Sequence, residues 1–253
     1  MVERRGRTWW VSHAVLLAGV AIFAFPIYVA VVASTHDVGT IGRGNLPLSP
    51  GDFAAENYHQ AWMQGTGQRV RGMPVWRIMM NSLTMAVVIT TGKIAVSLLS
   101  AFAVVFFRFP FRMLFFWLIF VTLMLPVEVR IIPTYKVVSD LRMVNTFAGL
   151  TVPLMASATA TLLFRQFFLT IPDELVEAAK IDGAGPLRFL RSILLPLSRT
   201  NIAALCVILF IFGWNQYLWP LLITTSRGMD TVVIGVTKKI GRASCRERVY
   251  VLV

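Results

Sequence analysis

Leu169–Pro196, LTIPDELVEAAKIDGAGPLRFLRSILLP, is a polar interruption in an otherwise oily chain. Pro172 is placed to open a helix, because a proline in the first turn lacks an N–H that would have no partner there. Asp173, Glu174 and Glu177 put negative charge near the positive end of that helix's dipole. Gly183 and Gly185 break the helix, and Pro186 suits the start of a second one. On the second helix Leu187, Leu190 and Leu194 recur at i, i+3 and i+7, with Arg188 and Arg191 off that stripe, and Pro196 closes it. The pattern predicts two short amphipathic helices joined by a glycine elbow, a knob between membrane spans that another protein can grip. A plain cytoplasmic helix pair packed through small residues would read the same way.

The chain around this knob belongs in lipid. Of its 253 residues 57% are hydrophobic and only 14% charged, and the mean hydropathy is +0.70. A soluble domain carries about 25% charged residues, so this chain has too few to coat a water-facing surface. Several of its apolar runs are long enough to cross a bilayer, which takes ~20 residues as a helix, and they lack the alternation of a transmembrane barrel. The expected fold is all-α, a polytopic transmembrane helical bundle. The formal net charge of +12 sits mostly beside or between apolar runs. Topological signalling and lipid head-group contact explain that placement, and nucleic acid is not an expected partner. Cys206 and Cys245 give neither a disulfide framework nor a metal spacing, and His13, His36 and His59 are too scattered to be ligands.

Five spans are predicted: Val11 to Ala33, Ile78 to Phe107, Met113 to Val127, Phe147 to Phe164 and Ile202 to Ile223. Arg4, Arg5 and Arg7 before the first place the N-terminus in the cytoplasm by the positive-inside rule, and the basic, apolar start is read as a retained span rather than a cleaved signal. Ser34 to Val75 is loop-rich, although Tyr58 and Trp62 at i, i+4 can share a helical face. A short polar connection through Asp140, Arg142 and Asn145 leads to the fourth span, whose Ala156–Thr161 run of small residues suits close helix contact.

Candidate substrate-path residues are ionisable, polar or aromatic groups at membrane depth. Lys93 sits inside the second span, where a charge is costly; it attracts an anionic solute, or it snorkels or pairs with a carboxylate. Gly92-Lys93 is not a phosphate loop, because the GxxxxGK[ST] pattern fails around it. Glu128 and Arg130 stand near a membrane boundary, either as a local ion pair or as lining of a vestibule in which Arg130 matches a phosphate. Trp214, Asn215 and Tyr217, within GWNQYLWP, serve either polyol recognition or an interfacial aromatic belt. No hydrolytic triad, metal cluster or cofactor fingerprint is present in the sequence, which argues against an autonomous enzyme.

Glu177-Ala178-Ala179, Asp182-Gly183-Ala184 and Ile193-Leu194-Leu195-Pro196 resemble the coupling ("EAA") loop of binding-protein-dependent ABC importer permeases of the carbohydrate-uptake type. The resemblance implies a type I permease fold of six spans, in a multi-pass chain of a bacterial inner (plasma) membrane. It implies that Glu177, Ala178, Ala179, Asp182, Gly183, Ala184 and Pro196 meet an ATPase subunit. The implied partners are a homologous permease, an ABC ATPase dimer, an extracytoplasmic solute-binding protein and membrane lipid. No cofactor is expected on this chain; ATP and Mg belong to the ATPase. Within the family the runs FWLIFVTLMLPVEVRIIPTY, PLMASATATLLFRQFF and GWNQYLWPLLI look most like permeases for sn-glycerol-3-phosphate, with glycerophosphodiesters also in view. Permeases of the same family for maltose or another oligosaccharide are the alternative. An ion-coupled secondary transporter is the further one, but it needs intramembrane carboxylates that the spans lack.

The end of the chain departs from that pattern. After Ile223 no apolar run is long enough for a sixth span. Ile240 to Val249, IGRASCRERV, looks like translated sequencing-adapter DNA, and a genuine basic tail is the alternative. The expected organisation is therefore a permease domain over residues 1–239, with five of six spans, and a non-native tail over 240–253.

Overall fold

The structure is a computed structural model that describes residues 7–44, 47–65 and 73–238. The expected non-native tail, residues 240–253, lies outside the described residues. The chain divides into two compact units, Met1–Trp76 and Arg77–Val253.

In the first unit, α1 (Arg7–Ala33) is apolar on every face, as suits a rod in lipid. Two short helices follow, α2 (Val38–Gly42) and α3 (Ala54–Gln64). Asp37 caps α2 by accepting from the Gly39 N–H at 2.8 Å. The segment expected to be mostly loop is knitted by Asn57, whose Nδ2 donates to the Ser34 and His36 carbonyls at 2.9 Å each. Tyr58 and Trp62 do share α3, and both are exposed.

The second unit is threaded by α4 (Val75–Phe106), which with α1 is long and apolar enough to cross a membrane unbroken. The other predicted spans are shorter or broken. α5 (Arg112–Met124) has 13 residues, about 20 Å at 1.5 Å per residue, against a hydrocarbon core of ~30 Å. Pro126 then starts α6 (Val127–Asp140), a helix over residues to which the sequence reading gave no element, and the polar connection expected through Arg142 and Asn145 follows it as a turn. The fourth span is two pieces. α7 (Phe147–Thr151) continues in a 3-10 turn to Leu154, α8 (Ala158–Phe168) follows, and the pair is bent by 46°. Ser157 makes the restart, accepting from the Ala160 N–H at 3.3 Å.

Next comes α9 (Asp173–Ile181), then α10 (Pro186–Phe189), a π-helical turn over Leu190–Leu194 and α11 (Leu195–Leu197). These run into α12 (Arg199–Trp214) across a 74° bend. The fifth span is thus α12 plus the separate α13 (Leu218–Ile223), and α14 occupies residues 232–238.

Two apolar cores lie at different levels of α4. Leu98, Ala101 and Phe102 pack with Phe164 and Phe168 of α8, Ala179 of α9, and Phe189, Leu190 and Leu194 around the elbow. Nearer its start, Met85 and Ile89 pack with Ile131 and Val138 of α6, Leu150 of α7, and Trp219 and Ile223 of α13. Gly213 lets α12 come close to α4: a Cβ there would lie 3.1 Å from the Ala86 Cα.

Candidate functional site

The elbow is built as a helix terminator of defined geometry. Asp182 caps α9, Gly183 takes φ +69°, and its N–H donates to the Lys180 carbonyl at 3.0 Å. The Ala184 N–H reaches back to the Ala179 carbonyl at 2.8 Å. That pair of bonds is the Schellman arrangement, and its left-handed residue is the one position where glycine avoids a Cβ clash. Ala179 and Ala184 turn toward the aromatic core, whereas Glu177, Ala178, Asp182 and Gly183 are exposed. Ile181 and Leu187, one on each side of the turn, are 86% and 76% exposed. The knob therefore presents an apolar tip beside Glu177, all on one short stretch of chain.

Three sequence expectations fail here. Pro172 is the residue before α9, with ψ 139°, and not its first helical residue. Leu187 does not share the buried stripe: it lies in the first turn of α10, and the buried residues are Phe189, Leu190 and Leu194. Pro196 does not end the helix either. It sits exposed in the first turn of α11, where its missing N–H falls at a π-to-α junction, and the chain turns at Ser198 instead. Ser198 is fully buried, and its Oγ donates to the Leu194 carbonyl at 2.6 Å. Such back-bonding and a π-turn are both recognised causes of helix bending.

At membrane depth the structure draws together only part of the predicted path. Lys93 is buried, 6% exposed, with its Nζ 3.7 Å from the centre of the Phe212 ring on α12. Arg130, half-buried on α6, is within coulombic reach of it. Among the described residues neither cation has a carboxylate within 4 Å; the ion pair found there joins Lys238 to Asp230. Lys93 thus does not snorkel to solvent, and it meets no acid among the described residues. The Glu128 side chain lies outside the described residues.

Trp214 ends α12, with its ring 5.9 Å from Phe210. Asn215 turns its Nδ2 back to the Ile211 carbonyl at 3.0 Å, and Gln216 does the same to Phe212 at 3.2 Å. These amides cap the end of α12, and Tyr217 stands exposed in the gap before α13. The buried aromatic of this stretch is Trp219, whose Nε1 donates to the Gly149 carbonyl at 3.1 Å. The small-residue run also splits: Ala158, Ala160 and Thr161 are buried, while Ala156 and Thr159 are exposed.

Sequence reasoning missed Phe212 and Thr90. Phe212 lies in an unbroken apolar run with nothing to mark it as the lysine's partner. Thr90 could have been found, since it precedes Lys93 by three residues on the same helical face.

Residues 93–239 match the family described as binding-protein-dependent transport system inner membrane component. The chain belongs to that family. It is 59% identical over 240 residues to the sn-glycerol-3-phosphate transport system permease protein UgpE of Rhizobium meliloti (strain 1021), covering 95% of this chain and 85% of that protein. The protein of the same name from Salmonella typhi is 60% identical over 237 residues, covering 93% and 83%. A chain of a bacterial ABC transporter involved in the import of the acidic polysaccharide alginate shares the fold, with a TM-score of 0.75 at 21% identity over 94% of this chain and 82% of that one. This permease is therefore a multi-pass inner-membrane transport subunit and not an enzyme, and its broken helices follow the architecture of an ABC importer permease.

Proposed function

We propose that this permease carries sn-glycerol-3-phosphate across the membrane as half of a heterodimer with a homologous permease. The observation that carries the solute is the identity of 59–60% to curated relatives named for that solute. The buried Lys93, which has no acid partner among the described residues, adds a physical reason, since a cation at membrane depth favours an anionic cargo over a neutral sugar. An extracytoplasmic binding protein delivers the solute, and glycerophosphodiesters, with a single phosphate charge, are a second cargo.

ATP and Mg are held by a partner ATPase dimer that docks on the elbow. Glu177, Ala178, Asp182 and Gly183 form the exposed contact, with Ile181 and Leu187 as its apolar tip. Ala179, Ala184 and Pro196 shape the elbow from behind. The N-terminal arginines place Met1 in the cytoplasm, and four crossings later the elbow returns to that side. Closure of the ATPase dimer moves the spans only by the free energy with which ATP favours one docked arrangement over another.

The test is solute uptake by the reconstituted complex with its binding protein. Uptake of sn-glycerol-3-phosphate in preference to maltose is expected, and preference for maltose would refute the solute. Glu177→Lys and Gly183→Asp are expected to abolish uptake while the binding protein still binds solute. A cysteine at Ala178 is expected to crosslink to the ATPase, and failure to capture it in native membranes would remove the coupling role.

A further inference from the structure

We propose that Thr90, Lys93 and Phe212 form a phosphomonoester site, in which a phosphate takes the Lys93 ammonium from the Phe212 ring and supplies the Thr90 hydroxyl with its missing acceptor. The inference rests on the solute assigned above and specifies which groups meet its phosphate.

The unmet hydrogen-bonding capacity at this place is unusual for this chain. A ring face attracts an ammonium through its quadrupole but gives its three N–H donors no acceptor oxygen. No hydrogen bond or ion pair of Lys93 exists among the described residues, although it is buried. Thr90 is 3% exposed and its Oγ1 has no partner. A buried helical threonine can satisfy its hydroxyl by donating back to the carbonyl four residues earlier. Thr134, Thr161, Thr224 and Thr237 all do so here, at 2.6 to 2.8 Å. Thr90, like Thr231, is a buried threonine without such a bond, and it lies one turn before Lys93 on the same face of α4.

The missing partner has a definable chemistry. It must bring several acceptor oxygens and enough negative charge to settle Lys93 while Arg130 stands within coulombic reach. A phosphomonoester brings three terminal oxygens and close to two charges. A neutral sugar brings hydroxyls alone, and a diester brings one charge. The local backbone suits a binding site as well. The break between α7 and α8 puts Met155 against Gly92, where a Cβ would lie 2.7 Å from the Met155 Sδ, and α12 stops two residues after Phe212. Interrupted helices at membrane depth are where transporters place their solutes.

The experiment uses the whole complex with its binding protein, in phosphatidylcholine nanodiscs, with 4-fluorophenylalanine at position 212. Addition of sn-glycerol-3-phosphate is expected to shift the fluorine resonance, because the ammonium leaves the ring. Thr90→Val, which keeps the side-chain shape, is expected to raise the half-saturating concentration about tenfold, one charge-assisted hydrogen bond's worth. Lys93→Met is expected to abolish the shift, with co-purification of all subunits reporting assembly. Movement of the resonance by phosphatidic acid and not by the soluble ester would overturn the proposal in favour of a lipid site. Uptake by the unsubstituted complex separates the two levels. If it moves no sn-glycerol-3-phosphate, the solute assignment itself fails. If it does, yet Thr90→Val and Lys93→Met transport with unchanged KM, only this site fails.

Discussion

The two ends of α4 are held by different physics. Around Leu98 to Phe106 the neighbours are large rings in close contact: Phe106 lies 5.8 Å from Phe168 and 5.4 Å from Phe189, the latter edge-on. Around Asn81 to Ile89 apolar packing is joined by polar clasps between distant segments. Asn81 donates to the Gly228 and Asp230 carbonyls at 3.1 Å each, and the Ser82 Oγ accepts from the Val232 N–H at 2.8 Å. Asn145, at φ +58°, accepts from the Thr225 and Ser226 N–H groups at 2.7 and 3.0 Å and donates to the Thr225 Oγ1 at 2.6 Å. The elbow end is held by packed volume, which is stiff because interiors at native density resist compression. The opposite end is tied by hydrogen bonds, which can be exchanged one at a time. The coupling proposed above, which passes motion from the elbow toward the far end, fits that asymmetry, and Lys93 lies between the two regimes.

The comparison breaks most sharply at Phe164, a fully buried ring of the elbow-end core. Phe164→Ala is expected to cost about 3–5 kcal/mol, the usual loss of transfer energy plus a cavity. Thermal unfolding of the purified complex measures it. At the other end Asn145→Ala removes the clasp and leaves alanine in a left-handed conformation, for a loss of about 2 kcal/mol. The site is exposed, so each lost bond is partly replaced by water. Asn145→Gly separates the contributions, since glycine tolerates the backbone and loses only the clasp. If the asparagine variants proved as damaging as Phe164→Ala, the two ends would not differ in kind.

What the sequence made legible follows the same division. The elbow could be read because its signals are local: acids at a helix start, a glycine at its end, a proline at the next start. The apolar character of α4 and the odd placement of Lys93 were equally plain. The breaks at residues 155–157 and 215–217 were not, because they fall within or beside apolar runs whose composition is the same for a straight and a broken helix. α6 was hidden by its own mixed sequence, VEVRIIPTYKVVSD, in which Pro133 and four charged residues mark a membrane boundary more plainly than a helix. Leu187 was misplaced because an α-helical register was extended through a segment that turns π-helical at Leu190. The helix breaks depend on tertiary packing that a local pattern does not carry. The same is true of Phe212, whose role depends on what α4 brings to it.

The finest test compares two glycines two residues apart. Gly183 has φ +69° and Gly185 has φ −67°, and a Cβ at either would meet nothing within 4 Å. Space is therefore equal and only the backbone differs. Gly183→Ala is expected to destabilise by about 1 kcal/mol, the cost of holding an L-residue in the left-handed region. Gly185→Ala fits an ordinary extended conformation and is expected to stabilise by about 0.4–1 kcal/mol, by restricting the unfolded chain. Opposite signs in a melting experiment would show that the elbow is set by backbone geometry rather than by crowding. Equal effects would mean that the knob, unlike the aromatic core behind it, is free to re-form around either residue, and a stiff link from elbow to bundle would lose its starting point.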